Sequence, residues 1–259
     1  MSRARWLARE LGPPLAGIAG TIALWSIVAA ATSTDAIPSP AVVWDAFIAG
    51  VRDGSLVDGA VKTLMRLAFS FVVAVALGVA IGFLLALNEF ARRAIRPLVV
   101  ALQITPFVAW VPLAVVWFGV TERAVVFVAI VGSFPAMTLA TIQAIRQVPP
   151  LYERAGRTLG ATGWSLYRKV IFPAAVPGVV AGLQQAWGFA WKALMAGELV
   201  VLAAGTAGLG HVLGEPGQPV ATLLAALAVV LVIGVAVDYL LFGQLDRRVR
   251  RRRGLIVES

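Results

Sequence analysis

The sequence predicts an all-α polytopic membrane protein with about six transmembrane helices, cytoplasmic N- and C-termini and an elbow of short cytoplasmic helices between the fourth and fifth spans. This fold class follows from the composition, the long apolar runs and the positions of the basic residues. Of the 259 residues, 60% are hydrophobic and only 14% are charged, and the mean hydropathy is +0.88. Such a chain has too little polar surface to cover a water-soluble globule, so lipid is the expected solvent.

Six apolar runs come close to the roughly 20 residues that a helix needs to cross a membrane. They occupy residues 14–32, 64–87, 97–119, 124–145, 174–204 and 219–243. The segment 37–51 is too short and too interrupted to span, and it is predicted to form a short amphipathic helix along the outer surface. No second, soluble domain is predicted, so residues 1–259 are expected to form a single transmembrane domain.

The orientation of the spans follows from where lysine and arginine collect, because cytoplasmic loops carry an excess of both. Most of the 22 basic residues fall at the N-terminus, in the loops 88–96 and 146–172 and in the tail after residue 246. These four places are therefore predicted to be cytoplasmic. The first span also resembles a cleavable signal peptide, since a basic start and an apolar stretch precede Ala29–Ala31. We expect the span to be retained because its apolar stretch is long for a signal peptide.

The composition also argues against several function classes. The net charge of +9 comes from residues between apolar runs and at the C-terminus, without a basic face that has interleaved aromatic residues, so nucleic acid is not an expected partner. The chain has no cysteine, which excludes disulfides, thiolate chemistry and cysteine-ligated zinc. The single histidine, His211, cannot form a metal site alone and leaves a membrane enzyme little from which to build a catalytic constellation. It is predicted to be a plain residue of an external loop.

Residues 146–173 form the predicted elbow. Leu151, Ala155 and Leu159 recur at every fourth position and so share one helical face. Gly160 is a natural helix stop, and Thr162 is placed to cap a second short helix, residues 164–170, that ends before the proline at 173. From these residues alone, the elbow is either an interfacial loop held by its basic residues against anionic lipid or an amphipathic element that docks in a groove of a cytoplasmic partner.

The elbow resembles the EAA loop of binding-protein-dependent ABC importer permeases, whose pattern is Glu-Ala-Ala, three residues, Gly, nine residues, Ile, one residue, Leu, Pro. When the pattern is aligned on its glycine, five positions agree or are conservatively replaced: Ala155, Gly160, Val170, Phe172 and Pro173. Two positions depart from it. Arg154 lies where the pattern has Glu, with Glu153 one residue early, and Gly156 lies at the second Ala. The segments 37–47, 63–71, 104–122 and 208–214 are also similar to the nitrate, sulfonate and taurine branch of these permeases.

The resemblance implies a membrane-spanning permease of an ABC importer in the cytoplasmic (inner) membrane. Its implied partners are two copies of a cytoplasmic ABC ATPase subunit, a second permease copy in a homodimer, an extracytoplasmic solute-binding protein and membrane lipid. No cofactor is expected in this chain, because it lacks a G-x-x-x-x-G-K-[ST] phosphate loop and ATP and Mg would be bound by the ATPase subunit. The implied cargo is a small anion such as sulfonate, taurine or nitrate, with an uncharged vitamin precursor as an alternative.

A transporter driven by an ion gradient is the other alternative to the ABC permease. Such transporters place carboxylates or broken-helix ion sites near the membrane midplane. The second, third and fourth predicted spans contain neither Asp nor Glu. The sequence therefore favours a permease that takes its energy from a separate ATPase.

Polar side chains in the fifth span are the candidates for a substrate pathway, because an ionisable group in hydrocarbon costs roughly 2.5 to 3.5 kcal/mol. The candidates are Gln184, Gln185, Trp187, Trp191, Lys192 and Glu198. Gln184, Trp187 and Trp191 share a face by their i, i+3 and i+7 spacing. The lysine can attract an anion, but it can also snorkel, pair with the glutamate or stabilise a dimer interface.

Four polar residues outside the fifth span are weaker predictions. Gln103 and Thr105 lie beside a proline in the third span, and Ser133 lies beside another in the fourth. Asp238 is predicted to lie near the cytoplasmic end of the last span, where water or an arginine of the tail would satisfy it.

Overall fold

The computed structural model describes residues 3–32, 36–201 and 208–252, and in these residues the protein is all-helical, without a strand. The helices are α1 (Arg3–Thr32), α2 (Pro40–Arg52), α3 (Ser55–Leu87), α4 (Glu89–Ile104), α5 (Val111–Phe118), α6 (Glu122–Arg146), α7 (Pro150–Thr158), α8 (Gly163–Leu166), α9 (Phe172–Val200), α10 (Leu209–Gly214), α11 (Val220–Val237) and α12 (Gly243–Arg252). Residues 202–204 of the predicted fifth span and Arg253 of the basic tail lie outside the described residues.

Helix α6 is the central helix of the bundle, with α3 packed on one side and α9 on the other. Glycines on both neighbours allow this close approach. A Cβ on Gly78 of α3 would lie 2.6 Å from the Met137 Cβ, and a Cβ on Gly182 of α9 would lie 2.6 Å from the Ala140 Cβ. Small residues at such contacts are how membrane helices gain van der Waals contact without a hydrophobic force between them. The side of α3 that carries Gly78 is therefore a contact surface for α6.

The described residues contain fewer candidate spans than the six that the sequence predicts. Four helical stretches in the described residues are long and apolar enough to cross a membrane, and a bent pair of helices would make a fifth: Ser55–Leu87, Glu122–Arg146, Gly163–Val200, Val220–Val249 and the pair Glu89–Ile104 with Phe107–Phe118. The first predicted span lies within α1, whose apolar part, Ala16–Thr32, is shorter than these four. The all-helical membrane fold is confirmed, whereas the count of six straight spans is not.

The third predicted span, residues 97–119, is wrong as a single helix. Helix α4 ends at Ile104 because Pro106 disfavours a helical conformation at the preceding residue, and Thr105 accordingly has ψ 127°. A short 3₁₀ turn, Phe107–Trp110, then leads into α5, and the two halves meet at 101°. Helix α4 also begins earlier than predicted, so the loop 88–96 is mostly helix, capped by the Asn88 side chain, which accepts a hydrogen bond from the Ala91 N–H at 3.0 Å.

The elbow continues directly into the fifth span, which corrects the prediction that its second helix ends before Pro173. A π-helical turn, Tyr167–Ile171, joins α8 to α9, and the Phe172 N–H donates to the Tyr167 carbonyl. The proline in the first turn of α9 has no N–H to donate. The π-helical turn before it is wider than an α-helical turn and changes the hydrogen-bond register, so the helix is not broken. A similar turn, Asp238–Phe242, joins α11 to α12, so the last helix runs beyond residue 243, where the sequence predicted its end.

The bundle has two ends, which we call the elbow end and the opposite end. At the elbow end, Arg146 at the end of α6 lies 3.3 Å from the Glu89 carboxylate at the start of α4. There Phe83 of α3 also packs edge-on against Trp164 of α8. At the opposite end, the start of α3, the start of α6, the end of α9 and the short helix α10 come together.

The glycine contacts of α6 predict a sharp size limit at residue 78. We expect Gly78→Leu to lower the thermal unfolding midpoint of the purified protein in detergent, because overpacking typically costs about 1–3 kcal/mol and a Cβ there would also lie 2.9 Å from the Phe134 carbonyl oxygen. Gly20→Leu is the control, since nothing lies within 4 Å of a Cβ at that residue. Equal midpoints for the two variants would contradict the packing argument.

The predicted orientation can be tested directly because the chain has no cysteine of its own. A cysteine at Arg157, on α7, should react with a membrane-impermeant thiol reagent only from the cytoplasmic side. One at Gly217, between α10 and α11, should react only from the outside. Labelling of whole cells and of inverted vesicles distinguishes the two sides, and the reverse result would invert the topology.

Candidate functional site

The elbow reverses the chain through two glycines with positive φ. Gly160 has φ +84° and Gly163 has φ +48°, a region that residues with a Cβ rarely adopt. The Ala161 N–H donates to the Gly156 carbonyl at 2.9 Å, which closes the end of α7. Thr162 has the extended backbone of a cap residue, but its side chain makes no capping hydrogen bond. The helix stop that the sequence predicts at Gly160 is therefore present.

Gly156 has a packing reason for its departure from the EAA pattern. A Cβ at this position would lie 2.7 Å from the Leu166 Cδ1 and 3.0 Å from the Val170 Cγ2. An alanine would therefore push α8 and the following turn away from α7. The two arms of the elbow contact each other at this glycine.

The outer face of the elbow is apolar and uncovered. Leu159 is 87% exposed and Leu151 is 72% exposed, and Trp164 is also exposed. Glu153 forms an ion pair with Arg157 at 2.8 Å along α7, while Arg154 is exposed. Large apolar side chains beside charged ones, on a short helix that packs against the helix leading into a span, suit docking into a partner's groove.

The face of α9 that the sequence singled out packs against other helices. Trp187 contacts Phe71 edge-on at a centroid distance of 5.3 Å, lies 5.7 Å from Phe242 and stacks with Trp191 at 6.4 Å. Gln184 donates a hydrogen bond to the Asp238 carboxylate at 2.9 Å. Asp238 thus has an amide partner from α9.

A polar groove lies instead between α4, α6 and α9. It has a volume of about 490 Å³, and its described polar lining comprises Arg92, Arg96, Gln103, Gln143, Arg146, Gln147 and Gln185. Of these, sequence reasoning singled out Gln103 and Gln185 as pathway candidates, and it placed the arginines in loops. The signal for Gln185 is its spacing, because Gly178 and Gly182 face α6 and Gln185 follows them on the same side of the helix.

The remaining weaker candidates are bonded within their own helices. The Thr105 hydroxyl donates to the Ala101 carbonyl at 2.8 Å, and the buried Ser133 hydroxyl donates to the Ala129 carbonyl at 2.6 Å. Neither residue is among those that line the groove.

Glu198 is the centre of a buried charge cluster at the opposite end. It is 2% exposed, and it accepts hydrogen bonds from Arg66 at 2.8 Å, from the Thr63 hydroxyl at 2.8 Å and from the Gly210 N–H at 3.0 Å. Arg66 also pairs with Glu122 at 2.7 Å. The partner of Glu198 is therefore Arg66, and the pairing with Lys192 that the sequence left open is not formed. Lys192 is exposed and has no ion pair in the described part of the chain.

The charge cluster explains the glycines of the segment 208–214. A Cβ on Gly208 would lie 2.5 Å from both carboxylate oxygens of Glu198, and a Cβ on Gly210 would overlap the same side chain. His211 belongs to α10 and is not a plain loop residue. Its Nδ1 is buried without a hydrogen-bond partner among the described residues.

The buried cluster predicts that a single charge removal is worse than a double one. Glu198→Met leaves a buried guanidinium short of a partner, so we expect a loss of about 3–5 kcal/mol, and Arg66→Met/Glu198→Met should recover part of it. The exposed pair of α7 is the control, where Glu153→Gln should cost less than about 1 kcal/mol. Thermal unfolding in detergent measures all three. A double variant that is less stable than Glu198→Met would contradict this account.

The chain matches a known family over most of its length. The model of the binding-protein-dependent transport system inner membrane component matches residues 74–251. A probable ABC transporter permease protein of Brucella melitensis biotype 1 is 32% identical over 92% of this chain and 96% of that protein. The taurine transport system permease protein TauC of Escherichia coli K12 is 27% identical over 90% of this chain and 88% of its own length.

Two further comparisons agree. The bicarbonate transport system permease protein CmpB of Synechococcus elongatus is 28% identical over 87% of this chain and 84% of its own length. The inward-facing MetNI methionine ABC transporter shares the fold, with a TM-score of 0.63 at 24% identity over 75% of this chain and 96% of that chain.

Permeases of this family are transporter components and not enzymes, and membership implies an ATPase and a solute-binding protein as partners. The chain belongs to the binding-protein-dependent inner membrane components, the multi-pass permease subunits of ABC importers in the cytoplasmic membrane.

Proposed function

We propose that the chain is the permease subunit of an ATP-driven importer that passes a small anion across the membrane by alternating access. The observation that carries the proposal is the exposed apolar elbow, whose second arm, α8, continues into α9 as one helix from Gly163. A partner that holds the elbow can therefore move a span. The relatives named for taurine and bicarbonate transport support an anion as the cargo.

In this proposal each elbow docks on one of two cytoplasmic ATPase subunits, and a second copy of the chain completes the homodimer. ATP and Mg are bound by the ATPase subunits, and this chain supplies no cofactor site. Closure of the ATPases moves both elbows, and each elbow carries α9 with it as a rigid body. A solute-binding protein delivers the anion at the opposite end of the bundle.

The groove between α4, α6 and α9 is the proposed substrate pathway. The face with Gln184 and Trp187 is less suitable, because Phe71 and Phe242 cover it. Lys192 lies two helical turns beyond Gln185 on the same face of α9, so it continues the polar stripe of the groove toward the opposite end. Glu198 is fully engaged with Arg66 and is assigned a structural role.

The elbow can be tested with two glycines that share a backbone conformation. Gly160 and Gly217 both have φ +84°, and nothing lies within 4 Å of the position that a Cβ would take at either residue, so valine strains both to a similar degree. Gly160→Val should distort the elbow and lose co-purification of the ATPase subunit, or lose substrate-stimulated ATP hydrolysis in reconstituted vesicles. Gly217→Val, at the far end of the molecule, should retain both.

The same two variants also show which result would contradict the coupling role of the elbow. Both variants should insert and purify at similar yields, because neither change touches the packed helices. If Gly160→Val binds the ATPase and transports at the rate of the unchanged protein, the elbow is a lipid-facing loop and the coupling role is wrong.

A further inference from the structure

The groove is strongly positive at its elbow end. Three arginines line it, Arg92 and Arg96 from α4 and Arg146 from α6, and none of the described lining residues is acidic. Amide side chains, including Gln103, Gln143 and Gln185, supply hydrogen-bond donors farther along. Guanidinium groups bind carboxylates, sulfonates and other oxyanions in a bidentate fashion, so this lining favours an oxyanion.

One carboxylate already occupies two of these arginines. Glu89 does not line the groove, but it pairs with Arg92, with Arg146 at 3.3 Å and with Arg93 at 2.7 Å. The Glu89 side chain is 52% exposed, so solvent reaches these ion pairs. Arg96 makes no ion pair in the described part of the chain. The groove therefore offers the guanidinium of Arg96, which has no ion pair in the described residues, and those of Arg92 and Arg146, which are already paired with the Glu89 carboxylate.

We propose that the elbow end of the groove is a binding site for a small oxyanion and that Glu89 is a built-in competitor which keeps the site weak. The proposal rests on the proposed function, since the passing anion is the importer's cargo. Arg96 is the first guanidinium that the anion meets. To engage Arg92 and Arg146 as well, the anion must displace Glu89.

Competition by Glu89 speeds the release of the bound anion. An oxyanion held by three free guanidinium groups would leave slowly, because charge-assisted bidentate bonds are the strongest hydrogen bonds that a protein offers. A carboxylate that rebinds Arg92 and Arg146 as the anion departs replaces those bonds at once. Release at the elbow end is therefore fast without a loss of the positive charge that draws the anion in.

The size and lining of the groove limit the ligand. Apart from its arginines and glutamines, the described lining is aliphatic, and no aromatic side chain there could stack on a ring. The ligand chemistry is therefore a compact oxyanion. Two sources share this chemistry, a soluble anion in transit and the phosphate of a lipid headgroup, and the experiment below separates them.

The test uses the cysteine-free chain with a single reporter, Leu139→Cys, which lies in the groove wall and outside the proposed site. The full-length protein is reacted with two methanethiosulfonate reagents, one bearing a sulfonate and one bearing a trimethylammonium group. Each rate is divided by the rate with a free small thiol. The ratio of the two normalised rates measures how strongly the groove prefers an anion.

We expect the ratio to favour the sulfonate reagent and to respond in opposite directions to two changes. Arg96→Gln should lower it about fivefold and Glu89→Gln should raise it by a similar factor, for one charge roughly 10 Å away under physiological screening. Arg93→Gln is the matched control, because Arg93 carries the same charge on the same helix but does not line the groove. An equal drop in the Arg93 and Arg96 variants would overturn the proposal.

Competition by inorganic sulfate gives the second measurement. Sulfate should slow the sulfonate reagent more than chloride does at equal ionic strength, and Glu89→Gln should reach half-protection at a lower sulfate concentration. Unchanged half-protection in that variant would refute the role of Glu89 as a competitor.

Reconstitution separates the two sources of the oxyanion. Sulfate protection that persists in vesicles of phosphatidylcholine with and without phosphatidylglycerol supports a soluble anion. Protection that disappears with the anionic lipid would assign the site to lipid phosphate and overturn the proposal. None of these rates needs an ATPase or transport, so they fail or succeed independently of the Gly160→Val comparison.

Discussion

The close packing of α6 between α3 and α9 is the constraint on which the rest of the structure depends. Glycines on both outer helices allow their backbones to lie against α6. In lipid, van der Waals contact of this kind holds helices together, whereas in water-soluble proteins the hydrophobic effect does so. The position of α6 also determines which residues its two ends contact. Glu122 at its start reaches Arg66, and Arg146 at its end reaches Glu89. Both charge clusters therefore involve an end of α6.

The charge cluster around Glu198 is buried, whereas the ion pairs around Glu89 are half exposed. The ion pairs at the opposite end are therefore fixed, and those at the elbow end can exchange partners. Glu198 is buried and accepts hydrogen bonds from three residues of two helices, α3 and α10, so breaking that cluster leaves an uncompensated charge in a medium that solvates it poorly. Glu89 is half exposed, so water can replace any of its partners at little cost. The opposite end is thereby held together, while the elbow end can change partners during transport.

Two prolines with different surroundings shape the route from the elbow to the groove. Pro106 ends α4 and turns the chain by 101°, and Gln103, in the last turn of α4, lines the groove. Pro173 does not end a helix. The π-helical turn before it accommodates the missing N–H of the proline, so the helix continues. Helix α8 is consequently continuous with α9, and Gln185 on that helix lines the groove.

The sequence by itself determined the lipid environment, the apolar helices, the elbow with its stop at Gly160 and the permease family, because each depends on composition or on spacing along the chain. Only the tertiary structure decided which polar residues meet. Gln184 and Gln185 are neighbours in sequence, yet one bonds Asp238 and the other lines the groove, and Glu198 pairs with a residue 132 positions away and not with nearby Lys192. Helical periodicity shows which residues share a face, but the neighbour that covers the face is set by packing between distant helices, which no local pattern contains.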